Sequence, residues 1–248
     1  MAGMTPRPST VLRGSATPDG VRDGRDARWE AHRARRRRQL VEAALKAVRR
    51  HGAGVGMDEI AATAATSKTV LYRHLGDRAG LYRAVVAAVD ERILGEISAA
   101  ESTVGEHATV DRIAAMVRAY LSMVERDPEI YRFVMTRPLE TAEGGAQDPV
   151  HQITDRIAGR LTEALREHLT ATGRADAERL ASVWGTGIVG LVQSAAEHWL
   201  TAQGQAGTSG QARPLSTDDV TDAVLALISP ALTAPDRRAD DIPPRSAS

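Results

Sequence analysis

Apolar residues in this chain recur every three to four positions and nowhere in the strict alternation of a half-buried strand, so the pattern predicts an all-α protein. From Trp29 to Gly52, Leu40, Val41, Ala44, Leu45 and Val48 form one stripe. The basic block Arg35, Arg36, Arg37 and Arg38 precedes it, and Gly52 closes it as a left-handed cap. Met57, Ile60, Ala61 and Ala64 mark a short helix, and Val70 and Leu71 the buried side of another. Leu81, Val85, Val89, Ile93, Leu94 and Ile97 mark a long one from Arg78 to about Ser102. After a break near Gly105 the same period places helices at about Thr109–Arg126, Pro128–Met135, Asp148–Thr172, Asp176–Ala202 and Thr217–Leu232. The Pro- and Gly-bearing stretches 137–147 and 204–214 read as loops.

This pattern divides the chain in four. Residues 1–28 are too poor in apolar side chains to offset ordering entropy and read as a disordered arm whose arginines can reach phosphates. Residues 29–96 form a helical head, 97–233 a larger helical body, and 234–248 a disordered tail. With 42% hydrophobic residues, both folded parts can build cores. A formal net charge of zero hides an asymmetry. Residues 29–96 hold 13 Lys/Arg against 8 Asp/Glu, whereas 97–248 hold 14 against 21. The head therefore suits a polyanion and the body does not. Arg35–Arg38 at the start of a helix oppose its dipole, a placement that makes sense beside a phosphate.

Met57–Tyr82 is the organising stretch: a short helix, a tight turn, a second short helix carrying polar and basic groups, and the start of a third. Two such helices crossing steeply make a DNA-reading unit. Ser67 is placed to cap the second helix, leaving Lys68, Thr69 and Arg73 outward near its N-terminal part, where a recognition helix enters a major groove. Lys and Arg suit guanine edges and the Thr69 methyl suits thymine. Arg78 opens the next helix, where its charge and the free N–H groups both attract phosphate.

Residues 33–92 resemble the N-terminal domain of the TetR family of one-component transcriptional regulators, with Gly52, Ile60-Ala61, Ala64, Ser67, Leu71-Tyr72, His74 and Leu81 at the family's spacings. The chain departs from that pattern at Ala65, where Gly is common in the turn, at Thr66, where a small apolar residue is usual, and at Leu75, where Phe is usual. Gly56 stands where a capping Thr is frequent, and Arg78 where Lys is usual. Ala65 strains the turn if a positive φ is required there, and losing the cap costs about 1 kcal/mol. The resemblance implies that Ser67, Lys68, Thr69, Tyr72, Arg73, His74 and Arg78 meet DNA, Tyr72 and His74 through phosphates. It also implies a homodimer built through the last two helices, gripping a palindromic operator.

A regulator of this kind takes a small effector in its body. Met116, Tyr120, Met123, Tyr131, Phe133, Trp184, Ile188 and Gln193, with Val134, Met135 and Trp199, are the candidate lining, suited to a hydrophobic or amphipathic molecule. The runs 56–60 and 127–133 and the Gly-rich helix ending in Trp199 also resemble regulators of fatty-acid synthesis that sense acyl-CoA, which would let Arg132, Arg137 or Arg156 meet phosphates. A ligand-responsive repressor is the reading these features favour. An activator of lipid metabolism and a helical interaction module without DNA are the alternatives.

Other chemistry finds little footing. Gly185-Thr186-Gly187-Ile188-Val189-Gly190 matches the dinucleotide-binding string, but it lies within a helical pattern instead of after a strand, so the match is rejected. Its glycines suit the close approach of another helix or room for a ligand. No cysteine is present, which excludes disulfides and thiolate chemistry, and neither a nucleophile elbow nor a zinc-helix motif occurs, so no enzyme and no cofactor is expected. No apolar run approaches the roughly 20 residues of a membrane span, and a cytoplasmic protein without a membrane partner is expected.

Overall fold

The computed structural model describes residues 20–104, 109–135, 149–209 and 215–233. Among them are helices and no strand: α1 (Gly20–His51), α2 (Met57–Thr63), α3 (Lys68–Leu75), α4 (Arg78–Glu101), α5 (Thr109–Arg126), α6 (Pro128–Met135), α7 (Pro149–Ala171), α8 (Ala177–Ser209) and α9 (Thr217–Thr233). Two boundaries differ from expectation. α1 begins at Gly20, not Trp29, because its first turns are polar all round and leave no apolar stripe to read. Arg35–Arg38 consequently lie well inside α1, and their opposition to its dipole lapses. α8 runs to Ser209 through Gly204, since a helical Gly costs about 1 kcal/mol without stopping the helix. Of the arm expected over 1–28, residues 20–28 are helical and belong to α1, a correction to that expectation, while residues 1–19, the loop 137–147 and the tail 234–248 lie outside the described residues.

In the head, the α1 stripe meets Ile60, Ala61, Leu71, Leu75, Leu81 and Tyr82, all buried. Leu75 fills the place expected for a larger ring and is 3% exposed. The α2–α3 turn closes by Ala65 N donating to Ala62 O (3.1 Å) and Thr66 N donating to Ala61 O (3.0 Å). That geometry holds Ala65 at φ +48°, the strained conformation its sequence position implied. Gly56 begins α2 without a side-chain cap, as expected. Ser67 Oγ accepts from Val70 N (3.4 Å) and Asp77 Oδ1 from Gly80 N (2.6 Å), so α3 and α4 are both capped. Gly80 lets α4 press against the end of α3: a Cβ there would lie 2.0 Å from the Leu75 carbonyl oxygen.

α4 leaves the head and enters the body, packing on α5 and α7. α6 is the buttress between the two parts. Tyr82 Oη donates to Val134 O (2.6 Å), its ring lies 5.8 Å from Phe133, and Arg49 grips Asp127 bidentately (2.6 and 2.9 Å). Ala53 N donates to Glu129 Oε2 (2.9 Å). In the body, α7 and α8 form the most closely packed helix pair. Gly185 permits this, since a Cβ there would sit 2.3 Å from Thr162 Oγ1 and 3.1 Å from Ala158 O, whereas Gly187 and Gly190 face open space.

Three outcomes follow from this packing. Ala65→Gly relieves the left-handed residue and stabilises the protein by about 1 kcal/mol in urea unfolding. Gly80→Ala destabilises by about 2 to 3 kcal/mol, because backbone must move to admit the methyl group. The Arg49 guanidinium holds the Asp127 carboxyl below the usual carboxylate range. The stability this adds is therefore complete above a pH of about 3.9 and lost as pH falls through the lower folded value. Unfolding curves between pH 6 and 2.5 should lose that acid-range component in Asp127→Asn.

Candidate nucleic-acid interface

α3 is amphipathic for a simple reason: Leu71 and Leu75 point into the head's core, so its other faces are left to solvent. Lys68, Thr69, Tyr72 and Arg73 are all exposed, and so is the capping Ser67. Tyr72 is 45% exposed, an unusual placement for an aromatic ring in a small core-poor domain. Arg78 is exposed at the first position of α4. His74 is half-buried at the end of α3. Six of the seven sequence-expected residues are thus exposed and His74 is half-buried, on α3 and at its two ends where the turn and α4 join it.

Two neighbours were not anticipated. Asp58 of α2 pairs with Lys68 (2.7 Å) and raises the pKa of its ammonium by that hydrogen bond first. α1 supplies the second: Arg37 Nη1 donates to the His74 carbonyl (3.0 Å), tying the arginine-rich stretch of α1 to the end of α3. His74 is held below its usual pKa by burial first, then by Arg73, Arg36, Arg33 and His32. The spacing of Arg33, Arg36 and Arg37 already placed them on adjoining turns of α1, but only the fold sets that face beside α3.

The charge pattern separates this surface from the rest. Among the described residues, no carboxylate lies within ion-pair distance of Arg33, Arg35, Arg36, Arg37, Arg38, Arg73 or Arg78. In the body, by contrast, Arg112 bridges Glu101 and Glu167, Arg160 pairs with Glu101 (3.1 Å), Arg126 with Glu96 (2.6 Å) and Arg118 with Asp218 (3.0 Å). Cations close together without counter-charges repel one another until a polyanion arrives.

The body carries a partly open apolar cavity of about 30 Å³ between α4, α5, α7 and α8, lined by Ile97, Met116, Val117, Tyr120, Ile157, Leu161, Val189, Val192 and Gln193. Met116, Tyr120 and Gln193 were expected there. The six aliphatic walls were missed because such residues on facing stripes look the same as ordinary core. Of the remaining candidates, Tyr131 adjoins Tyr120. Met123 lines a separate cleft at the head–body junction with Arg49, Arg92 and Asp127. Phe133 packs on Tyr82, Ile188 is in the core, and Trp184 is half-buried against it. Those placements take Met123, Phe133, Trp184 and Ile188 out of the cavity wall, since each side chain is claimed by a different contact. Arg132 is engaged by Glu129 and Arg156 by Asp90 (2.5 Å), so neither waits for a phosphate, and Arg137 lies outside the described residues. Val183 (64% exposed) of α8, the helix that also carries Gly187 and Gly190, and Leu227 (69%) of α9 stand in solvent. No helix of the described residues is long and apolar enough to cross a membrane.

Known proteins place this architecture. Residues 40–85 match "Bacterial regulatory proteins, tetR family" and residues 97–238 match "Tetracyclin repressor-like, C-terminal domain". An uncharacterised helix-turn-helix-type transcriptional regulator of Mycobacterium tuberculosis is 34% identical over 180 residues, 72% of this chain and 74% of that one. The helix-turn-helix-type transcriptional activator FasR of Mycolicibacterium smegmatis is 31% identical over 171 residues, covering 68% and 74% respectively. A crystal structure of a TetR-family regulator from Rhodococcus superposes with a TM-score of 0.60 at 21% identity, over 80% of this chain and all of the other. With its capped basic α3 on an N-terminal helical head, its all-helical body and matches across both parts, the chain belongs to the TetR family of helix-turn-helix transcriptional regulators.

Proposed function

We propose that the protein is a ligand-responsive repressor that acts as a homodimer on a palindromic operator, with α3 in the major groove. The observation that carries this reading is one exposed face presenting Lys68, Thr69, Tyr72 and Arg73 on a capped helix, flanked by arginines without carboxylate partners. Lys68, Thr69 and Arg73 read base edges. Tyr72, His74 and Arg78 hold phosphates, and Ser67 fixes the helix end that enters the groove. Lys68 exchanges its Asp58 partner for the base edge on binding, so part of its affinity is offset by the pair it leaves.

Two copies join through the outward faces of α8 and α9, where Val183 and Leu227 would be covered and the glycines admit close helix approach. The effector is a small hydrophobic or amphipathic molecule entering the body cavity. Its entry shifts α4 and with it the separation of the two heads, a population shift between spacings that fit and miss successive major grooves. The name of the FasR relative favours a second reading, in which the same machinery activates transcription. Operator position relative to the promoter separates the two.

A gel-shift titration against salt tests the DNA claim. One palindromic duplex is expected to bind with a steep salt dependence, and indifference to sequence would sink it. Arg73→Ala is expected to cost about 1 to 3 kcal/mol and relax discrimination at one base pair. Arg78→Ala should weaken all duplexes alike and lower the salt slope by about 1. Phosphate relieves the cationic crowding at His74, so operator affinity should rise as pH falls from 8 towards 6, and His74→Gln should flatten that profile. Leu227→Glu should convert dimer to monomer in sedimentation and lower operator affinity more than tenfold, on the order of 1.4 kcal/mol or more. A stable Leu227→Glu dimer would place the interface elsewhere.

A further inference from the structure

The first turns of α1 are helical without a core to order them. Residues 27–39 are exposed at every position except Arg36, and the buried stripe begins only at Leu40. At about 1.5 Å per residue this solvated stretch extends α1 by roughly 20 Å beyond Leu40. Residues 29–39 hold five arginines and one glutamate, and a polar helix of that length is marginal in water by itself. The stretch also carries Trp29, 65% exposed in a chain with only 3% aromatic residues. Water is a poor partner for an indole ring, and cations crowded on a helix repel one another. Both features gain from a surface that is anionic and partly apolar.

The helical period sets which of these side chains act together. Trp29, His32, Arg33, Arg36 and Arg37 recur at three- and four-residue steps and so share one face of α1. Contacts mark both ends of that face. The Trp29 and His32 rings stack with centroids 6.5 Å apart, and Arg37 Nη1 donates to the His74 carbonyl at the end of α3 (3.0 Å). Arg36 donates to Gln39 Oε1 (3.4 Å), and among the described residues neither Arg33 nor Arg36 has a carboxylate within ion-pair distance. Glu30, the one carboxylate of residues 29–39, lies about 100° round the helix from Trp29. The face therefore begins at the end of α3, where the reading above gives His74 a phosphate, and continues away from it.

Resting on the DNA-binding reading above, we infer that the Trp29–Arg37 face of α1 is a second nucleic-acid contact, which lies along the sugar–phosphate backbone of the duplex flanking each half-site and is indifferent to its sequence. A major groove about 12 Å wide admits one helix, and α3 fills it, so α1 is left to the strand that borders the groove. Arginine forks suit phosphate oxygens, and the flat Trp29–His32 stack suits the apolar deoxyribose edges between them. From Trp29 to Arg37 the face spans roughly 12 Å, the reach of three or four successive phosphates on one strand.

The test uses the full-length chain and the palindromic duplex found by gel shift, either trimmed at the outermost base pair of each half-site or extended there by about eight base pairs of two unrelated sequences. Both extensions are expected to bind at least tenfold more tightly than the trimmed duplex at low salt, and to steepen the salt slope by about 2 or more. In Arg33→Ala/Arg36→Ala the gain should fall below about twofold, whereas the charge-matched body variant Arg118→Ala/Arg126→Ala should keep it. Acrylamide quenching of tryptophan fluorescence should drop on binding the extended duplexes and not the trimmed one, a difference absent in Trp29→Phe. A gain that depends on the flanking sequence, one that survives in Arg33→Ala/Arg36→Ala, one lost equally in the body variant, no gain at all, or quenching unchanged by the extension would each overturn the inference. The trimmed duplex separates the two readings. Specific binding to it without a gain from the flanks removes the α1 contact alone, whereas loss of specific binding to every duplex removes the regulator.

Discussion

Helix α4 has to belong to two cores at once, and most of the architecture is arranged to let it do so. Its first half is buried on nearly every side, with Ala79, Gly80, Leu81, Tyr82, Val85 and Val86 enclosed by α1, α3 and α6, and its second half continues through Val89, Ile93 and Ile97 into α5 and α7. A helix apolar all round cannot be satisfied by a single neighbour. The close approach that Gly80 permits, the Asp77 cap and the Tyr82 hydrogen bond to α6 all fix where this helix leaves the head. Because head and body share it, a displacement in the body cannot remain local.

The charges follow the same division of labour. In the body, Arg112, Arg118, Arg126, Arg156 and Arg160 are paired with carboxylates of other helices, which ties helix to helix. On the head, Arg33 and Arg35 to Arg38 of α1 and Arg73 of α3 have no carboxylate within ion-pair distance among the described residues, and burial first, then repulsion from Arg73, Arg36 and Arg33, lowers the His74 pKa. Surface ion pairs are individually weak, so the pairing in the body adds little stability. Its absence on one face matters more, since unneutralised cations at fixed spacing are what a phosphate backbone rewards. Lys68 is the exception, kept in place by Asp58 in the free protein.

At the body's centre the order reverses: an apolar cavity is bordered by Tyr120 and the Gln193 amide, with no ion in its wall. α6 is only eight residues long, yet one of its faces meets Tyr120 and the other meets the head. A short helix pinned at both ends is a stiffer connection than a loop of the same length, because its backbone hydrogen bonds leave few soft torsions.

Much of this was legible in the residues alone. The all-α class, the bounds of α5 and α6, the left-handed Gly52, the Ser67 cap and the strain at Ala65 all follow from local rules of periodicity, capping and backbone sterics. The outward set on α3 follows too, since Leu71 and Leu75 settle which face is inside. What the tertiary structure decided are matters of which surfaces meet. Nothing local marks the early start of α1, which is polar all round, or assigns Asp58 to Lys68, Arg37 to His74 and Asp127 to Arg49. Nor can spacing tell a cavity wall from a core residue: Met116 and Ile188 have the same apolar character, yet Met116 lines the cavity and Ile188 does not. Sequence determines which side of each helix is apolar; pairing of those sides across the fold determines where the charges and the cavity come to lie.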